Sequence, residues 1–158
     1  MDVCHNIDGF RAVGKSIKIE YPDIKKIKMV IGISKSKVLE EIVDFIEKEE
    51  NFKDVHIISR PHMRLYKAED AFKAMSAVGC TKLRDVIFED QLPNTEPDSD
   101  TSFSTDPGML SNIKATLDHV LNEVGEDKNT LVLICGSFFI MSDVKKYFGQ
   151  HMENDEVF

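Results

Sequence analysis

Two overlapping stretches at the head of the chain carry residue types that do chemistry. Gly9-Phe10-Arg11-Ala12-Val13-Gly14-Lys15-Ser16 satisfies the phosphate-loop pattern G-x-x-x-x-G-K-[ST], a device in which backbone N–H groups curl around phosphates and Lys15 and Ser16 act on them. Asp2, His5 and Asn6, just before it, offer instead an acid, an imidazole and an amide leading into a helix. The two readings exclude each other. A phosphate loop follows a buried strand and stays non-helical until its helix opens. Here the variable positions are Phe10-Arg11-Ala12-Val13, and Ile7, Phe10, Val13 and Ile17 recur at helical intervals. Asp2-Val3-Cys4 is little chain for a strand, and Asp8 would set a negative charge against the phosphates. The helical reading takes Asn6 or Asp8 as the cap and runs to about Tyr21, where Pro22 stops it.

The elements behind these residues alternate. Apolar runs at Lys25–Ile33, Asp54–Ser59, Asp85–Glu89 and Thr130–Cys135 read as strands. Amphipathic or capped stretches from Val38 to about Glu49, Ala68 to Val78, Gly108 or Ser111 to Val124, and about Ser142 to Phe148 read as helices. Ser34-Lys35-Ser36-Lys37 is expected to turn the chain and cap the helix at Val38, and Gly136-Ser137 to turn it into the last helix. Residues 90–107, rich in Asp, Ser, Thr and Pro, read as a mobile acidic surface insertion, and 150–158 as a polar tail. The pattern predicts a single α/β domain over residues 1–149: a mostly parallel, Rossmann-like sheet in three α/β/α layers. In such a sheet the C-terminal strand ends share one rim, where ligands bind. That rim collects Asp2 and His5, Lys35 and Lys37, Arg60, His62 and Arg64, and Ser137. A basic collection there stands out because the chain as a whole is acidic.

Bulk properties exclude several classes. At 158 residues with a net charge of −8, the chain is long enough for one core and poorly suited to nucleic acid. It has no apolar run of membrane-spanning length and no signal peptide, which predicts no membrane association. Cys4, Cys80 and Cys135 are widely spaced with no C-x-x-C, so reduced thiols in a cytoplasmic setting are expected, and no metal site.

Asp2-Val3-Cys4-His5-Asn6-Ile7-Asp8-Gly9-Phe10-Arg11-Ala12 resembles the D-G-A-H-N-P-x-G-x-R-A signature of folylpolyglutamate synthases and dihydrofolate synthases, ATP-dependent ligases related to the Mur peptide ligases. Thr130 to Ile140, an apolar strand followed by Gly136-Ser137-Phe138-Phe139-Ile140, resembles their later G-S-L-Y-L motif. The resemblance implies the Mur-ligase C-terminal domain fold and a reaction joining L-glutamate to a folate or dihydropteroate carboxylate through an acyl-phosphate made with ATP and Mg2+. It implies nucleotide binding by Asp2, a catalytic and glutamate-binding role for His5, and glutamate binding by Ser137. Arg60, Arg64 and Lys35 are candidate contacts for substrate carboxylates, with no motif behind them. Val3, Cys4 and Ile7 depart from the signature at packing or turn positions. The loop after Gly32 keeps a lysine but lacks the acid that the family pairs with it.

The chain opens inside the motif and carries no ATPase domain, so the expectation is a C-terminal fragment lacking its first strand and inactive alone. Two other classes stay open at this point. A small phosphate-loop NTPase using Gly9–Ser16 would bind ATP through Lys15, and a non-catalytic binding module could keep the same fold.

Overall fold

The structure, a computed structural model, describes residues 6–35, 38–87 and 111–150. In chain order the elements are α1 (Ile7–Glu20), β1 (Lys26–Gly32), α2 (Leu39–Lys48), β2 (Phe52–Ile57), α3 (Ala68–Ala77), α4 (Ile113–Val124), β3 (Thr130–Gly136) and α5 (Phe138–Tyr147). The sheet is parallel with strand order β2-β1-β3.

Side chains of β1 alternate between two cores, as a period of two requires. Ile27, Met29 and Ile31 point into a cluster with Phe10 and Ile17 of α1, Ile42, Val43 and Ile46 of α2, and Met75 of α3. Val30 points the other way, to Leu117 and Val120 of α4 and Ile140, Met141 and Val144 of α5. Helices therefore cover both faces, and the expected three-layer α/β architecture is what the chain forms.

The helical reading of the chain's head holds, and three other local expectations change. Gly9–Ser16 lies wholly inside α1, which Asn6 caps by accepting a hydrogen bond from the Gly9 N–H at 2.8 Å. Its backbone N–H groups belong to the helix and cannot curl around phosphates, so the phosphate-loop reading falls. Gly14 is there for packing, since a Cβ would lie 2.9 Å from the Phe45 ring. Lys15 and Ser16 are exposed.

The strand expected at 85–89 is absent from 85–87, and Phe88 and Glu89 lie outside the described residues. The chain touches the β2 edge only around Val55, through a Leu83 bridge and an Arg84 N–H to Val55 carbonyl bond of 2.9 Å. It then leaves, with Asp85 exposed and Val86 and Ile87 only half-buried.

α5 begins at Phe138, not near Ser142, because Ser137 itself caps it. Val38, not a serine, holds the cap position of α2, with no side-chain cap bond. The expected insertion at 90–107, Lys37 and the tail from 151 lie outside the described residues.

One polar group of side chains sits in the α4 face of the sheet. Lys28 and Asp54 are register partners on β1 and β2, with Nζ 2.6 Å from Oδ2. Lys28 also reaches Glu123 of α4 at 3.0 Å, and Asp54 also pairs with Arg84. His56, two residues on from Asp54, is 2% exposed, and neither ring nitrogen has a hydrogen-bond partner. Its ring lies 6.0 Å from that of His119.

Burial first, and the nearby Lys28 charge second, push the His56 imidazole down to about 4. The unfolded chain therefore takes up a proton near 6.5 while the folded chain refuses it. Stability is full above pH 6.5 and falls by about 3 kcal/mol as the pH drops from 6.5 to 4. His56→Leu is expected to remove much of that acid slope at no cost at neutral pH. Urea denaturation of both proteins across pH 4–7 checks it, and an unchanged acid slope would refute the assignment.

Candidate functional site

The sheet places a crevice at one definite point. β1 runs into α2 on one face and β3 runs into α5 on the other, while β1 and β3 are adjacent. Connections that leave neighbouring strands in opposite directions open a cleft at their C-terminal ends, the usual ligand position in open α/β sheets. Gly32 and Gly136 face each other across that end. Gly136 has φ +109°, a conformation favoured by glycine, and its position leaves no room for a Cβ beside the Gly32 backbone. The Ser137 N–H then donates to the Gly32 carbonyl at 2.7 Å. The glycine is thus the reason the chain can turn here and present Ser137.

Ser137 is nearly buried, and its hydroxyl is tightly specified. Ser34, just beyond β1, donates to Ser137 Oγ at 2.8 Å, and the Phe139 N–H approaches the same oxygen at 3.4 Å. With both acceptor positions used, the Ser137 hydrogen is left to donate. α5 begins at the same place, so the positive end of its dipole favours an acceptor that carries negative charge.

The β2–α3 loop closes the side of the crevice. Ser34 and Leu65 form an antiparallel bridge, the Lys35 N–H donates to the Arg64 carbonyl at 2.9 Å, and the Tyr66 N–H donates to the Ile33 carbonyl at 3.0 Å. These bonds bring Lys35 and Arg64, both exposed, to the same edge as the serines. Arg60 is placed differently. Its NH1 meets Asp143 at 3.1 Å and Ser142 at 3.4 Å, so its charge is engaged by α5. His62 joins the edge through its ring, stacked on Phe139. Asp2 and His5 lie outside the described residues.

Ser34 and Phe139 are the members of this group that sequence reading left among turn and motif residues. The available signal was position: each lies within three residues of the C-terminal end of a buried strand. Among the described residues no group of three His, Cys, Asp or Glu side chains converges to hold a metal ion, and no helix is long and apolar enough to cross a membrane. Lys15, the lysine of the phosphate-loop pattern, instead lines a shallow groove between α1 and α2 that also contains Glu41, Asp44 and Lys48.

No protein-family model matches the chain, and no curated protein does. Among solved structures, the chain is similar to Mycobacterium tuberculosis folylpolyglutamate synthase complexed with ADP and AMPPCP, with a TM-score of 0.62 and 18% identity. A second structure of that synthase, complexed with ADP, gives a TM-score of 0.62 and 17% identity. In both cases the match covers 97% of this chain and 30% of the other. The likeness is one of fold: this chain is built as a domain-sized part of that ligase is built.

Proposed function

We propose that this chain is the glutamate-binding domain of an ATP-dependent amide ligase that adds L-glutamate to folate or dihydropteroate. The observation that carries the reading is the Ser34–Ser137 pair at the adjacent ends of β1 and β3, with the Lys35 and Arg64 cations at its edge, in a chain of net charge −8. The Lys35 ammonium and the Arg64 guanidinium only donate hydrogen bonds and carry positive charge, which favours a carboxylate. Held by its carboxylates, L-glutamate keeps its amine as the group left to react. The fold likeness to folylpolyglutamate synthase supports the same reading.

The described residues do not by themselves fit ATP and Mg2+: Gly9–Ser16 is helical, and no acidic cluster is available. In this reading both are bound mainly by an ATPase domain outside this chain, to which Asp2 would contribute nucleotide contacts and His5 a catalytic group. The chain alone is then inactive, and its own task is to bind and orient the incoming amino acid. Lys35 and Arg64 draw carboxylates in, while Arg60 steadies α5 through Asp143.

A titration of the chain with L-glutamate, followed by the backbone amide signals of Ser34, Arg64 and Ser137, tests this. Shifts concentrated at those residues are expected, with Ser137→Ala weakening binding by about tenfold, the size of one charge-assisted hydrogen bond. Shifts elsewhere, or the same affinity in Ser137→Ala, would sink the reading.

A further inference from the structure

Three of the described arginines have acid partners: Arg11 with Asp8, Arg60 with Asp143 and Arg84 with Asp54. Arg64 has none among the described residues and is held by other means. Its guanidinium lies over the Phe139 ring, with Cζ 5.8 Å from the centroid. His62 stacks on that ring with centroids 4.0 Å apart and planes at 23°. His62 Nδ1 also accepts the Arg64 backbone N–H at 3.2 Å, which puts the proton of the neutral imidazole on Nε2. Phe139 is at the same time tied to the site, since its N–H is directed at Ser137 Oγ. One aromatic ring thus links the serine pair, the histidine and an uncompensated cation.

We infer that Phe139 and His62 are positioning residues that hold the Arg64 guanidinium beside the Ser34–Ser137 pair, so that the site selects a dicarboxylate amino acid over its monoamide. The inference rests on the reading of this crevice as a glutamate site and assigns a source for its selectivity. A free arginine side chain loses rotamer freedom on binding, whereas one laid on a ring loses less, and its planar fork keeps a fixed direction. A guanidinium only donates, so it meets both oxygens of a carboxylate. The amide of glutamine offers it one acceptor, no charge and a competing donor.

The test compares L-glutamate with L-glutamine in NMR titrations of the full chain. Wild type is expected to prefer L-glutamate by about tenfold, the margin of a charge-assisted pair. Arg64→Ala should abolish the preference. Phe139→Leu and His62→Ala should lose most of it while still binding L-glutamine, and Phe139→Tyr, which keeps the ring, should retain it. His62 is in an exposed loop, so its variant reads the effect without loss of core packing. If Arg64→Ala removes the preference while Phe139→Leu and His62→Ala keep it, the positioning role is overturned and the glutamate site stands. If wild type binds neither amino acid, or Ser137→Ala binds L-glutamate unchanged, the site reading fails and this inference with it.

Discussion

Gly136→Ala is expected to bring the domain to the edge of unfolding. Two penalties coincide at this position. The backbone sits at φ +109°, where an L side chain is strained, at about 1–3 kcal/mol. A Cβ would also run into the Gly32 carbonyl oxygen and approach the Gly32 nitrogen to 3.0 Å. Both belong to the central strand, which is paired on its two sides and cannot retreat. The combined loss should reach ~4 kcal/mol or more, a large part of the 5–15 kcal/mol that holds a domain together.

Two other glycines separate the causes. Gly79 has φ +92° with open space around it, so Gly79→Ala carries the backbone penalty alone. Gly32→Ala meets the Ile140 side chain at 2.7 Å without a positive φ, so a rotamer shift relieves part of the clash at ~1 kcal/mol. Urea midpoints for the three variants should rank Gly136→Ala far below the others. A loss at Gly136 no larger than that at Gly79 would show that the Gly32 contact does not matter.

Asp54→Ala should cost ~3–5 kcal/mol, the usual result of removing one partner from a buried ion pair. Asp54 joins Lys28, whose side chain is 11% exposed, to Arg84, and bonds both. Burial alone would raise the Asp54 carboxyl, but the bonds from Lys28 and Arg84 outweigh it and hold it below the ordinary carboxylate range. For Lys28 burial alone would lower the ammonium, and Asp54 and Glu123 together raise it instead. Each charge is therefore kept by the other.

Without Asp54, Lys28 keeps only the half-exposed Glu123 as a partner carboxylate among the described residues. Lys28→Met combined with Asp54→Leu should recover most of the loss, since apolar pairs of similar size commonly equal buried ion pairs. The sign with pH follows from the lowered carboxyl. The contribution is complete above the unfolded carboxylate value and is lost as the pH falls through the folded one. Denaturation of Lys28→Met, Asp54→Leu and the double variant closes the cycle, and strictly additive losses would refute the coupling.

The layered fold was legible because its signals are local. Apolar runs of strand length, a cap at Asn6 and a stop before Pro22 can each be read within a few residues. What was not legible depends on neighbours in space. Lys28 reads as one charged position in an apolar strand until the register sets it beside Asp54. Gly14 stands in a helical stripe for no reason a linear reading gives, until the Phe45 ring is seen against it. Val86 and Ile87 have strand-forming side chains, yet the chain leaves the edge of the sheet before them.

At the site, Ser137 and the basic loop residues were legible from the motif and the strand ends. The acid that occupies Arg60 was not, because Asp143 meets it only once α5 packs beside the β2–α3 loop. Nor was the ring beneath Arg64, since nothing in a linear reading brings position 139 to position 64.

The bond between Ser34 and Ser137 joins residues 103 apart, whereas Lys28 and Asp54 are 26 apart. Closing the longer loop adds only about 0.6 kcal/mol of entropy for each doubling of length, but distant pairings are made late when a chain folds. The β1–β2 half can associate through a short connection, and the crevice exists only once β3 has docked against β1. A molecule seated against the serine pair would therefore act as a clasp on the last step of assembly. It would favour the completed domain by mass action, because no partly folded chain contains its binding site.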